Sequence, residues 1–258
     1  MSDRALQDLV LRALADAPFR ASPPWRERAL ADPGRLERFA RFLARHFYFE
    51  RIVHFFKYSR ALARVTGRSP ETVLRSAAFD ALLPAIVLGS RDSAAAVADL
   101  VAAHVASGRR DGIPYLADLL TYERAMMVAE AGPRVWREDP GAEKDVVRGA
   151  WSAPETVEGT VLLDLHYDLP AVLATLLSPW TEVPQCPERP TRLLIARSMH
   201  GRVAVARADA AVATVVELAD GRKTLEDLAR EAGLRPAELE ATLAGLTELG
   251  AVRFGTGS

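Results

Sequence analysis

The chain has 258 residues, 49% of them apolar and 26% charged, which is enough to fold around two cores without a metal or disulfide staple. Its formal net charge of -1 gives no global electrostatic reason to expect nucleic acid or an anionic membrane, so neither is an expected partner. A single cysteine, Cys186, excludes a disulfide framework and a cysteine zinc cluster; the opening MSDRALQDLV lacks the basic and apolar sections of a signal peptide, no run of about 20 uncharged apolar residues is present to span a bilayer, and the expected location is cytoplasmic.

Helical spacing runs from Leu6 to Ala15 and gives way at APFRASPPW, whose prolines enforce an irregular excursion. Asp32 as cap and Pro33 in the first turn restart a helix that continues to Gly67, as one long element or two short ones. Ser69, Pro70 and Glu71 open the next helix, which Pro84 bends or ends, and SAAAVADLVAAHVASG and IPYLADLLTYERAMMVAEAG supply two more, each closed by glycine. Residues 1–136 thus read as an all-helical domain. A polar linker over 137–159 leads into a second domain, 160–258, with a strand in TVLLDLHYDL, a short helix in PAVLATLL and a four-proline loop in SPWTEVPQCPERP. After these come a strand pair turning at His200 and Gly201, three helical segments and a last short strand, AVRF. The fold class is α+β, with a small winged-helix-like module at its C-terminal end.

Most winged helices bind DNA through basic residues and the second helix of the turn. Here that helix, PAELEATLAGLTELG, carries Glu238, Glu240 and Glu248 and no lysine or arginine, so it would repel a phosphate backbone. A winged-helix DNA-binding transcriptional regulator is therefore an alternative rather than the leading reading. A strand edge beside a helix can instead take up a peptide as an added strand; a packing or dimerisation module is the plainer possibility.

The stretch VVELADGRKTLEDLAREAG, with Leu218, Asp220, Gly221, Thr224, Leu228 and Ala229, followed by LAGLTELGAV, resembles the peptide-chaperone proteins of the pyrroloquinoline-quinone pathway and related precursor-recognition domains of ribosomally made, modified peptides. The resemblance covers roughly 191–254. It implies that a leader peptide pairs with the third strand and lies on the third helix, which by position selects Arg202, Val203, Val205 and Arg207 with Leu239, Leu243 and Leu246. The whole layout, with ARFLARHFYFERI, then PYLADLLTYERAMM, then the C-terminal module, is similar to the partner proteins of multinuclear non-heme iron-dependent oxidative enzymes, including those of methanobactin and thiaglutamate-type pathways. That resemblance implies a non-catalytic subunit with no cofactor of its own. It would form a heteromer with the iron enzyme and deliver the cysteine-bearing end of a precursor peptide to it.

His46, Glu50 and His54 stand four apart on one helical line, which two imidazoles and a carboxylate could use to hold a metal, as in a helical metal-dependent oxygenase, the second alternative. The facing Glu-x-x-His motifs of a bundle metal site are absent, and Lys57 on the same line opposes a cation. Phe42, Phe47, Tyr48, Phe49, Phe55, Phe56 and Tyr58 surround this line, as expected of a core helix or of one whose outer face a partner covers. Between Arg35 and Arg64 there are eight basic residues against two acidic ones. That basic edge suits an acidic partner. Candidate enzyme-docking residues are Arg41, Arg45, Arg51 and Lys57, with Tyr115 and Tyr122 from PYLADLLTYERAMM, a seam that core packing also explains. Asp118 and Glu123 have no partner that defines an acid–base pair, Cys186 has no activating base near it in sequence, and no phosphate loop, dinucleotide fingerprint or nucleophile elbow occurs.

Overall fold

A computed structural model describes residues 3–28, 32–109, 112–131, 153–198 and 200–254. The chain is largely helical in its N-terminal region, and a smaller mixed α/β region with an open sheet follows. It divides into two compact units, Met1–Val128 with Leu169–Cys186, and Ala129–Asp168 with Pro187–Ser258.

In the first unit α1 (Asp3–Ala15) is followed by short α2 (Ala17–Ala21) and α3 (Pro23–Arg26), the excursion set by the prolines. Asp16 caps α2 through a 2.8 Å bond from the Phe19 N–H. Helix α4 (Pro33–Phe55) begins as the sequence predicts, with the Asp32 carboxylate accepting from the Arg35 N–H at 2.7 Å. It does not run unbroken to Gly67. Phe56 (φ -97°, ψ 33°) leaves the helical region, and α5 (Lys57–Ala61) and α6 (Ala63–Thr66) follow, closed by Gly67 at φ 69°. Ser69 and Pro70 start a six-residue 3-10 turn, Pro70–Arg75, before α7 (Ala77–Leu82) is capped by Ser76. Pro84 lies in a second 3-10 turn, Leu83–Ala85. Helices α8 (Arg91–Ala106) and α9 (Leu116–Glu130) complete the main body. Tyr48, Ile52, Phe56, Phe79, Val97, Val101, Leu119 and Met127 are all fully buried here.

Residues 169–186, which the sequence reading places in the C-terminal domain, group with this helical unit. They form the 3-10 turn Leu169–Ala171 and α10 (Leu173–Leu176). Leu169, Val172 and Leu176 are buried, the Tyr115 hydroxyl donates to the Pro184 carbonyl at 2.9 Å, and the Arg64 guanidinium lies 3.8 Å over the Trp180 ring.

The second unit contains β1 (Pro154–Thr156), β2 (Val161–Leu165), β3 (Thr191–Arg197), β4 (Val203–Arg207), α11 (Ala210–Leu218), α12 (Leu225–Ala232), α13 (Pro236–Leu249) and β5 (Val252–Phe254). Strands β2, β3 and β4 form one antiparallel sheet in that order, and β1 pairs antiparallel with β5. The sequence reading places residues 154–156 in the linker, but they are stitched in: Thr156 donates its N–H to Ala219 O at 2.8 Å and its hydroxyl to Val216 O at 2.6 Å. Most of the remaining linker lies outside the described residues. Leu194 and Ala196 of β3 join Val215, Leu228, Leu239, Leu243, Leu246 and Val252 in one core. Gly250 ends α13 at φ 77°, where a Cβ would stand 2.3 Å from Arg197 O, so only glycine can close this helix against β3.

Candidate functional site: the open edge of β4

Strand β4 is outermost in its sheet, and among the described residues no strand pairs with its other edge. The register sets Val203 opposite Arg197, Val205 opposite Ile195 and Arg207 opposite Leu193. Ala208 donates to Arg192 O and Ser198 donates to Arg202 O, and these bonds fix the alternation of the ladder between them. Arg202, Ala204, Ala206 and Ala208 bond inward to β3, whereas Val203, Val205 and Arg207 turn their N–H and C=O groups to the open edge. Two side-chain rows follow. Ala204 and Ala206 share the helix-facing side with Ala196 and Leu194, while Val203, Val205 and Arg207 stand on the other side with Arg197, Ile195 and Leu193. Val203 through Ala206 are half-buried, and Arg202 and Arg207 are exposed at the two ends. An apolar, proline-free edge of this kind offers unused main-chain donors and acceptors to an extended segment.

One end of the edge is held by a group that sequence reasoning missed. Asp168 is fully buried and accepts from the guanidinium groups of both Arg189 and Arg207, and its own N–H donates to Pro187 O at 2.9 Å. Burial alone would raise the Asp168 carboxyl; hydrogen bonds from Arg207 and then Arg189 outweigh it and hold the group below the usual range. Both arginine side chains stay more than half exposed, so the aspartate fixes two cations that still face solvent beside β4. The only signal in the sequence is an aspartate just past the end of a strand and directly before Leu-Pro.

The other expected peptide-binding residues are placed differently. Leu239, Leu243 and Leu246 are buried in the core of the unit, because their i, i+4, i+7 row is what fastens α13 to the sheet. They are not available to line a peptide surface. The exposed side of α13 carries Glu240 and Glu248.

The expected docking residues also divide. Tyr115 and Tyr122 are core residues, 1% and 6% exposed, and burial first, then Cys186 and Tyr58 respectively, pushes each hydroxyl up to about 12. Arg41 bonds Glu37 at 2.9 Å, Arg45 pairs with Asp80, Arg51 stacks 3.5 Å over Phe47, and Lys57 stands exposed 5.0 Å from the Tyr58 ring. Much of the basic edge is thus engaged within the chain. His46, Glu50 and His54 are exposed; His46 stacks on Phe42 and His54 meets Phe55 edge-on. No group of three metal-ligating side chains occurs among the described residues.

Glu123 belongs to the same TYERAMM segment but has a structural task. Its carboxylate accepts the N–H groups of Tyr58 (2.8 Å) and Ser59 (3.1 Å), which the break at Phe56 leaves free, and so ties α9 to the start of α5. Complete burial raises its pKa to about 8, against the lowering effect of those hydrogen bonds and of Lys57. A raised carboxyl stabilises the fold fully below its ordinary value of 4.5, and this contribution is lost as pH rises through about 8. Glu123→Gln keeps an acceptor without the titration. Its urea-unfolding free energy is expected to match wild type at pH 4 and to exceed it at pH 9 by several kcal/mol, since each unit between 4.5 and about 8 is worth about 1.4 kcal/mol. A variant with the same alkaline decline as wild type would show that another group is responsible.

These features define a two-unit α+β protein whose smaller unit presents an open strand edge flanked by arginines. Compared with protein-family models and with curated protein sequences, the chain matches none. No described helix is long and apolar enough to cross a membrane.

Proposed function

We propose that this protein is a non-catalytic partner subunit that binds the leader segment of a ribosomally synthesised, cysteine-containing precursor peptide and presents that precursor to an iron-dependent oxidative enzyme. In this reading the β2–β4 sheet with α11–α13 is a winged-helix-like recognition module. The observation that carries it is the orientation of β4: of the four residues in and beside this strand that the resemblance to precursor-recognition domains selects, Val203, Val205 and Arg207 turn their backbone groups to the open edge, while Arg202 bonds inward to β3. The leader adds as a fourth strand, its main chain supplies affinity, and its side chains read the Val203–Val205 row and the Arg207 end. Holding a flexible precursor near the iron site raises its effective concentration there and needs no reacting group on this chain. The exposed glutamates of α13 favour this reading over duplex DNA, whose phosphates they repel.

The test is a calorimetric titration of the full chain with the leader segment of a precursor encoded beside it, together with co-purification with the adjacent iron enzyme. Saturable binding and a stable heteromer are expected. A folded protein that binds neither would overturn the proposal.

A further inference from the structure

The exposed aromatic residues of α4 belong to neither the core nor the β4 edge. Phe39, Phe42 and Phe49 are 49%, 60% and 41% exposed, and with His46 they follow one helical stripe; Phe42 stacks between Phe39 and His46. The stripe borders two concavities. One, of about 790 Å³, runs between α4 and the 3-10 turn Pro70–Arg75, with Phe42, His46, Phe49 and Leu74 on its apolar walls and Arg45 and Arg75 at its rim. The other, about 650 Å³, is lined by Val10 and Leu14 of α1, Leu36 and Phe39 of α4, and Arg35 and Arg38. From Arg35 to Phe49 the grooves follow α4 for about 20 Å, the length of roughly four helical turns.

Charge decides what fits there. Of the acidic residues at the two grooves, Glu71 is paired to Arg60 at 3.2 Å and Asp32 is occupied as the cap of α4. Arg45 is paired to Asp80, but Arg35, Arg38 and Arg75 have no acidic partner among the described residues and their side chains are exposed. The grooves are therefore apolar at the floor and cationic at the rim. A two-fold contact between copies would bring like charges together, and a flat bilayer does not fill concavities. We infer that this surface receives an acidic amphipathic helix of a partner protein, with apolar side chains at i, i+3/4 and i+7 seated beside Phe42 and Phe49 and carboxylates meeting Arg38 and Arg75. The site is remote in sequence from β4 and its test uses neither leader peptide nor iron enzyme, so it can fail or succeed independently of the proposed function.

Three labelled synthetic helices of about four turns, with one leucine face and an outer face of glutamate, glutamine or lysine, are titrated into the full chain by fluorescence anisotropy at low and high salt. The glutamate helix is expected to bind at least about tenfold more tightly than the lysine helix, with the difference shrinking at high salt. Phe42→Ser with Phe49→Ser is expected to cost about tenfold or more in that affinity, and Arg38→Glu with Arg75→Glu to reverse the charge preference. All four side chains are exposed, so thermal melts should be unchanged. Equal binding of the three helices overturns the inference. So does flotation with phosphatidylcholine–phosphatidylglycerol vesicles, or a dimer by sedimentation, that the Phe42→Ser, Phe49→Ser pair abolishes while the glutamate helix fails to bind.

Discussion

Val205→Pro is expected to eliminate strand addition at β4, weakening leader-peptide binding by about 100-fold or more, while the protein stays folded. The alternation of the ladder makes this a sharp test. Val205 directs its N–H away from β3, so a proline ring there removes no bond of the native sheet. An incoming strand, however, loses a donor at the centre of its ladder and meets the ring itself; one lost hydrogen bond and the steric block together are worth roughly 3 kcal/mol. Ala206→Pro, one residue on, is the control. That N–H bonds inward to β3, and its loss should destabilise the unit by about 3 kcal/mol. Circular dichroism and peptide titration on the two variants distinguish an edge used for binding from an edge that is merely exposed. If Val205→Pro binds leader like wild type, β4 is not the site.

The sequence reading located the start of α4 correctly because local chemistry decides it: the Asp32 side chain caps the helix and Pro33 stands in its first turn, whereas Ser69, read as the cap of the next helix, makes no capping bond and opens a 3-10 turn. The strand pair about Gly201 follows from alternation and a turn, and Ser90, Asp209 and Thr224 cap α8, α11 and α12 by the same local chemistry. The residues that carry the resemblance to precursor-recognition domains have local duties of the same kind. Asp220 accepts the N–H groups of Arg222 (2.9 Å) and Lys223 (3.1 Å), Gly221 adopts φ 76° against Glu155, and Thr224 caps α12. A DG-x-x-T pattern therefore specifies a turn, and peptide recognition has to be argued from the strand edge.

What remained illegible depends on contacts distant in sequence. The break at Phe56 is satisfied by Glu123, 65 and 64 residues from the N–H groups it accepts, and periodicity across HFYFERIVHFFKYS shows nothing of it. The same stretch combines buried Tyr48, Ile52, Phe55 and Phe56 with exposed His46 and Phe49, so its aromatic content identifies no single face. Tyr115 and Tyr122 met the spacing of a surface seam and of a core seam equally, and only packing assigns them to the core. Likewise, the short β1 pairs with a strand almost a hundred residues later, beyond the reach of any local pattern.

The strongest dependence of the smaller unit on one charge is expected at Asp168. Asp168→Asn retains the shape but removes the charge that both arginines share, and the loss is expected to be about 3 kcal/mol at pH 7, the low end for breaking a buried ionic group because the exposed guanidinium groups regain water. The sign with pH follows from the lowered carboxyl. Its contribution is present above the ordinary value of 3.8 and disappears as pH falls through the still lower folded value, so wild type and Asp168→Asn should converge in acid. Removing the arginines instead separates pairing from burial. In Arg189→Ala with Arg207→Ala, desolvation is left unopposed, the carboxyl should titrate above its ordinary value, and the double variant should gain stability on mild acidification where wild type is flat. Urea-unfolding curves across this range check both expectations. An acid profile identical in all three proteins would show that the Asp168 pair contributes nothing to the stability of the sheet, and the arginines beside β4 would then be free to leave it.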